Sequence, residues 1–187
     1  MDYRDVNAQT EKDSYPLLWI DQVWPMLSKS RFLATFDHLM GYHQVEVETA
    51  DRAKTDFLTH SGLLIYNVMP FGLCNAPITF QRLIERILGT LVGTKVLVYL
   101  DCVLIYSKTP ETLIESLTQV LRLLADAGHK CKASKCAPFT QQVHYLGHVV
   151  SKDGINLEPV KLDTIRHWPR PEKGTGLASF LGYCNYY

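Results

Sequence analysis

Two aspartates occupy positions where the surrounding sequence is strongly apolar. Asp37 directly follows the apolar residues 32–36, and Asp101 lies at the centre of the apolar residues 96–106. Such a carboxylate is costly unless it is paired or binds a cation. If both strand ends meet on one sheet, the two carboxylates face one divalent ion, and hard oxygen ligands suit Mg²⁺. In the alternative interpretation, Asp101 is a turn residue and Asp37 caps the end of a strand.

The strands that must position these aspartates are predicted from the pattern of apolar residues. Residues 31–36 are rich in aromatic and branched side chains, and residues 42–47 alternate around Val45 and Val47, as a half-buried strand does. Residues 96–106 form two apolar arms around a short centre, which predicts a β-hairpin with Asp101 near its tip. A strand pair or bulged strand is predicted for residues 143–150.

Two amphipathic helices are predicted on either side of the hairpin. The first carries an apolar stripe from Phe80 to Leu91, with Pro77 near its start. The second starts with Thr109 as its N-cap and Pro110 in its first position. Further helices are predicted for residues 158–168 and 175–184. This order of elements predicts an α+β fold with an antiparallel sheet.

Composition limits the classes of protein that need to be considered. Nineteen basic and nineteen acidic residues give a net charge of zero, so composition alone gives no support for nucleic-acid binding. Apolar residues make up 47% of the chain, but no apolar run reaches the roughly 20 residues of a membrane helix. The first residues are charged and polar, unlike a signal peptide. We therefore expect an intracellular protein, in the cytoplasm or nucleus, without membrane contact.

The cysteines and histidines raise the possibility of a zinc site. Five cysteines, an odd number without CxxC spacing, predict reduced thiols rather than a disulfide framework. A zinc alternative rests on five residues whose spacing matches no compact zinc pattern. These residues are His129, Cys131, Cys136, His144 and His148.

Several segments stand in an order and spacing that resemble a known family. They are Phe36-Asp37 with residues 41–44, residues 69–81, Tyr99-Leu100-Asp101-Cys102, residues 145–148 and residues 179–182. In that order they resemble motif A, motif B, the Tyr-x-Asp-Asp hairpin, the primer-gripping hairpin and the thumb-side segment of the reverse transcriptases of gypsy-type retrotransposons and retroviruses. Asp2-Tyr3-Arg4, Asn7 and Tyr15-Pro16-Leu17 resemble the stretch before motif A.

The resemblance implies a right-hand polymerase palm, with an antiparallel sheet backed by helices. It divides the chain into a fingers remnant at residues 1–30, the palm at 31–150, and the start of the thumb or connection at 151–187. In the family the basic fingers hairpin lies upstream and a ribonuclease H domain downstream, so we expect a chain truncated at both ends. The implied reaction is RNA-directed DNA synthesis from deoxynucleoside triphosphates on a primed RNA or DNA strand. No feature of the sequence indicates the oligomeric state.

The resemblance also implies a role for each of several residues. Asp37 and Asp101 would hold two Mg²⁺ ions for nucleotidyl transfer. Tyr42 would exclude the ribose 2′-hydroxyl, or is simply a core tyrosine. Phe71 and Gly72 would lie beside the incoming nucleotide and the templating base.

The remaining roles lie further along the chain. Gln81 would contact the nucleotide from the motif B helix, or lies on a solvated helix face. Lys135 would approach the leaving phosphate, or is an exposed surface lysine. Leu146 and Gly147 would grip the primer terminus.

One departure from the family pattern bears directly on activity. Cys102 stands where the family has the second aspartate of the hairpin, and a thiol is a soft ligand that serves Mg²⁺ poorly. The sequence therefore predicts a weak or inactive polymerase. Two hypotheses stay open: a fragment of a reverse-transcriptase polyprotein, and a non-catalytic domesticated remnant that binds nucleic acid or a protein.

Overall fold

The computed structural model describes residues 2–16, 20–27, 30–145, 147–151 and 154–186. The α-helices are α1 Arg4–Gln9, α2 Ile20–Leu27, α3 Ala76–Leu88, α4 Pro110–Asp126, α5 Pro159–Arg166 and α6 Gly174–Tyr186. The strands are β1 Phe32–Asp37, β2 Phe57–Thr59, β3 Gly62–Leu64, β4 Val96–Tyr99, β5 Cys102–Ser107, β6 Ala137–Thr140, β7 Gln142–Tyr145, β8 His148–Ser151 and β9 Gly154–Leu157. Short 3-10 turns occur at Gly41–Gln44, Thr49–Thr55, Gly89–Leu91 and Ala133–Lys135.

The central sheet has the strand order β4-β5-β1-β6, and each pair for which a register is defined is antiparallel. The predicted hairpin is confirmed as β4 and β5, joined by a turn at residues 100–101. The predicted strand at residues 31–36 is confirmed as β1, which pairs with β5 along its whole length. Strand β6 was not predicted from the sequence.

Both faces of this sheet are covered. Helices α3 and α4 pack on one face in a cluster that includes Phe80, Ile84, Val98 and Val103. On the other face, α2 and the β7-β8-β9 sheet pack against the residues that alternate with these, such as Leu104. Because the strands of the hairpin are buried on both faces, consecutive residues are apolar, and the usual alternation of polar and apolar residues is absent.

The predicted start of α4 is confirmed by a hydrogen bond from its N-cap. Thr109 is the N-cap, and its hydroxyl oxygen accepts from the Thr112 N–H at 3.3 Å. Pro110 occupies the first turn, where a missing N–H costs nothing. At the other end, Gly128 adopts a φ of +77°, as expected just beyond a helix C-terminus.

The predicted strand at residues 42–47 is wrong. The chain instead begins this segment with the 3-10 turn Gly41–Gln44. Gly41 lies so close to Phe80 that a Cβ atom would come within 2.8 Å of the ring. Tyr42 also packs against Phe80, with ring centroids 5.8 Å apart. Aromatic packing against α3 therefore overrides the alternation that predicted an extended strand.

The N-terminal residues 2–16, called the lead-in segment below, dock onto the loop that precedes α3. Asn7 Nδ2 donates to the Gly72 carbonyl and Asn7 Oδ1 accepts from the Cys74 N–H, both at 2.8 Å. Asn75 Nδ2 donates to the Glu11 carbonyl at 2.8 Å, and Asn75 Oδ1 accepts from the Asp13 N–H at 3.1 Å. Two asparagines thus join the start of the chain to a loop about 65 residues away. None of the helices in the described part of the chain combines the length and hydrophobicity that a membrane span requires.

Candidate functional site

The ends of β1 and β5 bring the two aspartates of the sequence prediction together. Asp37, the last residue of β1, pairs with Cys102, the first residue of β5. Asp101 immediately precedes Cys102 in the hairpin turn and is exposed. The His38 N–H donates to the Asp101 carbonyl at 3.0 Å, which ties the end of β1 to the turn. Both carboxylates therefore lie at the same edge of the sheet.

The hairpin turn itself has an unusual backbone. Leu100 has a φ of +53°, a left-handed conformation that residues with a side chain rarely adopt. The His38 imidazole lies within 3.0 Å of the Asp101 carbonyl through Nδ1, so His38 holds the turn through its backbone and its side chain. Burial lowers the pKa of His38, so the ring is neutral and Nδ1–H is the donor.

Gln81 supports the same turn from within the core. Its side chain is completely buried, which excludes the predicted alternative of a solvated helix face. Its Nε2 donates to the Val98 carbonyl at 3.0 Å, and its Oε1 accepts from the Leu100 N–H. A nucleotide contact through this amide would require these bonds to break.

Lys135 lies at the site, but its contact is with a carboxylate. The 3-10 turn Ala133–Lys135 is anchored by the Lys132 N–H, which donates to the Asp37 carbonyl at 2.8 Å. From this turn, Lys135 Nζ reaches Asp37 Oδ2 at 3.1 Å. The hydrogen bond to Asp37 raises the pKa of Lys135. An ammonium group thus already neutralises one of the two aspartates.

Cys102 adds no charge to this edge of the sheet. Burial, followed by the charges of Asp37 and Asp101, raises the pKa of Cys102 to about 12. The thiol is therefore protonated at neutral pH and is a poor ligand for a hard cation. Behind it, Tyr145 of β7 is 2% exposed and belongs to the cluster against which Cys102 packs. The Tyr145 hydroxyl is buried without a hydrogen-bond partner among the described residues.

Three of the predicted nucleotide-binding residues lie together and form one surface, called the nucleotide wall below. They are Tyr42, Phe71 and Gly72. Tyr42 packs on Phe71, with ring centroids 4.9 Å apart, and Phe71 is 52% exposed. Burial raises the pKa of Tyr42, and the charge of Asp101 raises it further. Gly72 follows Phe71 with a φ of +101°, and a Cβ atom there would lie 3.2 Å from the ring of Tyr3. The wall therefore requires glycine at position 72.

The predicted primer grip lies in the hairpin of β7 and β8. Gly147 forms its turn with a φ of +75°, and the Gly147 carbonyl accepts from the Glu158 N–H at 3.3 Å. Leu146, the other predicted grip residue, lies outside the described residues. Through Tyr145, this hairpin belongs to the cluster against which Cys102 packs.

The residues of the zinc alternative are spread over separate parts of the fold. His129 packs against His38, with ring centroids 5.8 Å apart. His144 lies on the other side of the sheet, with its Nδ1 2.9 Å from Glu158. Nowhere in the described ranges do three or more His, Cys, Asp or Glu side chains converge as a set of metal ligands.

The side chains at the end of β1 also show whether this chain fits the two Mg²⁺ ions that the resemblance implied. Two carboxylates are suitable hard ligands, but Asp37 is already paired with Lys135, and Cys102 contributes a neutral thiol. The side chains present therefore do not fit a site for two divalent ions.

Known proteins resemble this chain over its full length. A family model described as reverse transcriptase (RNA-dependent DNA polymerase) matches residues 1–150. The chain is 39% identical to the retrovirus-related Pol polyprotein from transposon 297 and 36% identical to that from transposon gypsy, both of Drosophila melanogaster. It is also 31% identical to the transposon Tf2-3 polyprotein of Schizosaccharomyces pombe. Each comparison covers 100% of the chain but only 18%, 18% and 14% of the respective polyprotein.

Solved structures share the fold at lower sequence identity. The foamy viral protease-reverse transcriptase in complex with double-stranded DNA superposes with a TM-score of 0.87 at 23% identity, over 99% of this chain and 32% of that one. The same viral protein in complex with an RNA/DNA hybrid superposes with a TM-score of 0.82 at 23% identity, over 99% of this chain and 25% of that one.

Proposed function

This chain belongs to the reverse transcriptase (RNA-dependent DNA polymerase) family, and from that premise we propose that it is a retroelement polymerase palm with a degenerate nucleotidyl-transfer site. The ancestral reaction is DNA synthesis from deoxynucleoside triphosphates on a primed RNA or DNA strand. The observation that carries the proposal is the pairing of Asp37 with Cys102 at the end of β1, beside Asp101 in the turn. Family membership explains why Asp37 and Asp101 are present. The thiol of Cys102 is the reason we expect the nucleotidyl-transfer activity to be lost or weak.

The proposed division of the chain follows the sequence prediction. Residues 1–30 are a fingers remnant, 31–150 the palm, and 151–187 the start of the thumb or connection. The central sheet and both aspartates fall within the second part, which supports this boundary. The chain spans less than a fifth of each polyprotein reported above, and our proposal assigns the fingers and a ribonuclease H domain to a longer parent of that kind.

The charge of the site supports a loss of efficient catalysis. A carboxylate at position 102 would supply a third negative group near Asp37 and Asp101, whereas the thiol is neutral. Lys135 offsets the charge of Asp37, whereas Asp101 has no ion pair among the described residues. We expect Mg²⁺ to bind weakly here, because an entering ion must displace the ammonium group of Lys135.

The proposed roles of the nucleotide wall rest on its position. Tyr42 and Phe71 present an aromatic surface near Asp101, and Gly72 lets the same loop pack closely on the ring of Tyr3. A deoxyribose would pack on Tyr42, and a 2′-hydroxyl would meet its ring. Gly147 and Leu146 keep their proposed role at the primer terminus.

The second candidate function is non-catalytic binding of nucleic acid. Lys130 and Lys132 are exposed on the segment that leads to Lys135, next to the end of β1. This local group of lysines favours contact with phosphates although the net charge is zero. Complexes of the foamy viral protein with double-stranded DNA and an RNA/DNA hybrid support the same class of partner.

Primer extension in Mg²⁺ and in Mn²⁺ tests the proposal. We compare the chain with its Cys102→Asp variant, and use Asp37→Asn as the inactive control. Loss of one such electrostatic group costs on the order of a hundredfold in rate, so Cys102→Asp should extend a primer about a hundredfold faster than the unmodified chain. Each protein is assayed with and without a fingers segment from a related polyprotein supplied upstream.

Two results would contradict the proposal. Rapid extension by the unmodified chain would show that Cys102 is no lesion. Extension by Cys102→Asp that stays at the level of Asp37→Asn, even with the fingers restored, would show that these residues do not form one site.

A further inference from the structure

A chain of polar contacts, partly buried at Tyr15 and Glu85 and buried at Gln81, runs from the lead-in segment to the hairpin turn that carries Asp101. It begins at Tyr15, whose hydroxyl donates to the carboxylate oxygen Oε2 of Glu85 on α3. The other oxygen of that carboxylate, Oε1, accepts from Gln81 Nε2 at 2.6 Å. Gln81 then contacts the Val98 carbonyl and the Leu100 N–H, as described above.

The outer end of this chain is fixed by a second pair of residues. Arg82 forms an ion pair with Asp13, and its guanidinium lies 4.8 Å from the centroid of the Tyr15 ring. Asp13 is also held by its N–H, which donates to Asn75 Oδ1. The lead-in segment is therefore attached to α3 at the point where Tyr15 reaches Glu85.

At its inner end, the chain of contacts reaches a backbone segment in an unfavourable conformation. Leu100 is a non-glycine residue in the left-handed conformation, and its N–H is held by Gln81 Oε1. Gln81 uses both amide hydrogens and its oxygen in these contacts. A completely buried glutamine on the otherwise apolar face of α3 is costly unless its partners are all present. Its side chain therefore fits one conformation of the turn.

We propose that Tyr15, Glu85 and Gln81 form a positioning relay, through which docking of the lead-in segment fixes the turn that presents Asp101. Gln81 is a positioning residue in this relay, because it acts on the backbone of Leu100 and does not touch a reacting group. The relay rests on the proposed function in one respect: it takes Asp101 as a carboxylate of the nucleotidyl-transfer site. Its structural claim concerns the turn alone.

Amide hydrogen exchange measured by NMR tests the relay in the full chain, without metal or nucleotide. In Gln81→Leu, which keeps the side-chain volume, the Leu100 amide should exchange at least about tenfold faster, since one hydrogen bond is lost. The Val103 amide in the same hairpin serves as an internal reference, because a general loss of stability accelerates both amides alike. Glu85→Ala should accelerate Leu100 by a few-fold, and Glu85→Gln should restore the slow rate because its amide can still contact Gln81 and Tyr15.

If Gln81→Leu does not fold, a comparison of two tyrosine variants still tests the relay. Tyr15→Phe should accelerate the Leu100 amide relative to Val103. Tyr106→Phe removes a comparable hydroxyl contact, to the Gly93 carbonyl at the opposite end of the hairpin, and should leave Leu100 unchanged.

The relay is overturned if Leu100 and Val103 accelerate equally in these variants, or if Tyr15→Phe and Glu85→Ala both leave Leu100 unchanged. Neither result affects the assignment of the chain to its family. Conversely, an inactive Cys102→Asp protein would count against the proposed function and leave the exchange rates, and hence the relay, untouched.

Discussion

At position 102 a neutral thiol lies between two carboxylates and in front of a buried tyrosine hydroxyl. Cys102 packs against the cluster that contains Tyr145, whose hydroxyl has no partner within the described ranges. Burial raises the pKa of Tyr145, so the phenol is protonated and available as a donor. An unpaired buried hydroxyl costs about 1–3 kcal/mol. A hydrogen-bond acceptor at position 102 would remove that cost.

A double-mutant cycle tests this pairing. In the unmodified chain, Tyr145→Phe should leave the free energy of unfolding unchanged or raise it by about 1 kcal/mol, because it removes an unpaired group. In the Cys102→Asp background the same substitution should lower it by about 1–2 kcal/mol, since a hydrogen bond to a charged acceptor is lost. Urea unfolding of the four proteins gives the coupling energy.

Tyr106→Phe is the control for a tyrosine hydroxyl far from position 102. Its effect on unfolding should be the same in both backgrounds. A coupling energy near zero between positions 102 and 145 would contradict the proposed hydrogen bond.

His129 gives a prediction for acidic pH. It packs against His38 and Phe80, and its Nδ1 is buried without a partner among the described residues. Burial, and then the neighbouring His38, lowers the pKa of His129 below 6.5. The unfolded chain therefore binds a proton that the folded chain does not, and stability is lost as the pH falls through about 6.5.

We expect the free energy of unfolding to fall between pH 7 and pH 5, and His129→Gln to reduce that slope. The reduction stays below the roughly 1.4 kcal/mol per pH unit of one full proton, because His129 is only half-buried. Urea titrations at several pH values measure it. His60→Gln, in the exposed turn between β2 and β3, is the control, and an equal change of slope in both variants would contradict the prediction.

The elements that the sequence predicted are those with a local pattern. The hairpin and the capped helix α4 are confirmed, because apolar periodicity and turn residues determine them within about 20 positions. The palm fold, which the resemblance implied, is confirmed by the match to solved structures. The strand at residues 42–47 is wrong because the close packing of Gly41 under Phe80 does not appear in an alternation pattern. The two asparagine contacts of the lead-in segment could not be predicted either, since each joins residues more than 60 positions apart.

The site residues divide in the same way. The positions of Asp37 and Asp101 were predictable, because Asp37 ends one apolar run and Asp101 interrupts another. The partner of Lys135 was not, because its Asp37 contact spans 98 positions. Gln81 gave only a weak signal: a polar residue among the apolar residues of one helix face, which the sequence alone does not distinguish from an exposed position.

Helix α4 allows a prediction about an element end. Thr109 caps its first turn, so Thr109→Ala should lower the free energy of unfolding by about 1 kcal/mol. Thr118→Ala is the control, since the Thr118 hydroxyl donates only to the Ile114 carbonyl within the exposed middle of the helix. Chemical denaturation that shows the same loss for both variants would contradict a specific cap.

The whole molecule combines zero net charge with a local group of lysines. We expect weak, salt-sensitive binding to a primer–template duplex, measured by fluorescence anisotropy at several salt concentrations. Replacing Lys130 and Lys132 by glutamine should reduce the slope of log affinity against log salt by about 2, if both contact phosphates. The paired replacement of Lys95 and Lys108, exposed at the opposite end of the hairpin, should leave the slope unchanged.

Nanomolar binding at about 0.15 M salt, a physiological ionic strength, would contradict the expectation of weak affinity. Equal loss of slope in the two lysine pairs would contradict the location of the surface.

The long separation between Lys135 and Asp37 has a consequence during synthesis on the ribosome. Residues emerge at about 5–20 per second, so β1 leaves the ribosome seconds before the lysine that neutralises its last residue, 98 positions later. The partner strand β5 emerges in between and can pair with β1 first. A nascent chain halted at this stage would carry Asp37 without its cation. Ribosome-bound chains that end just after β5 should therefore have a more negative sheet edge than the released protein.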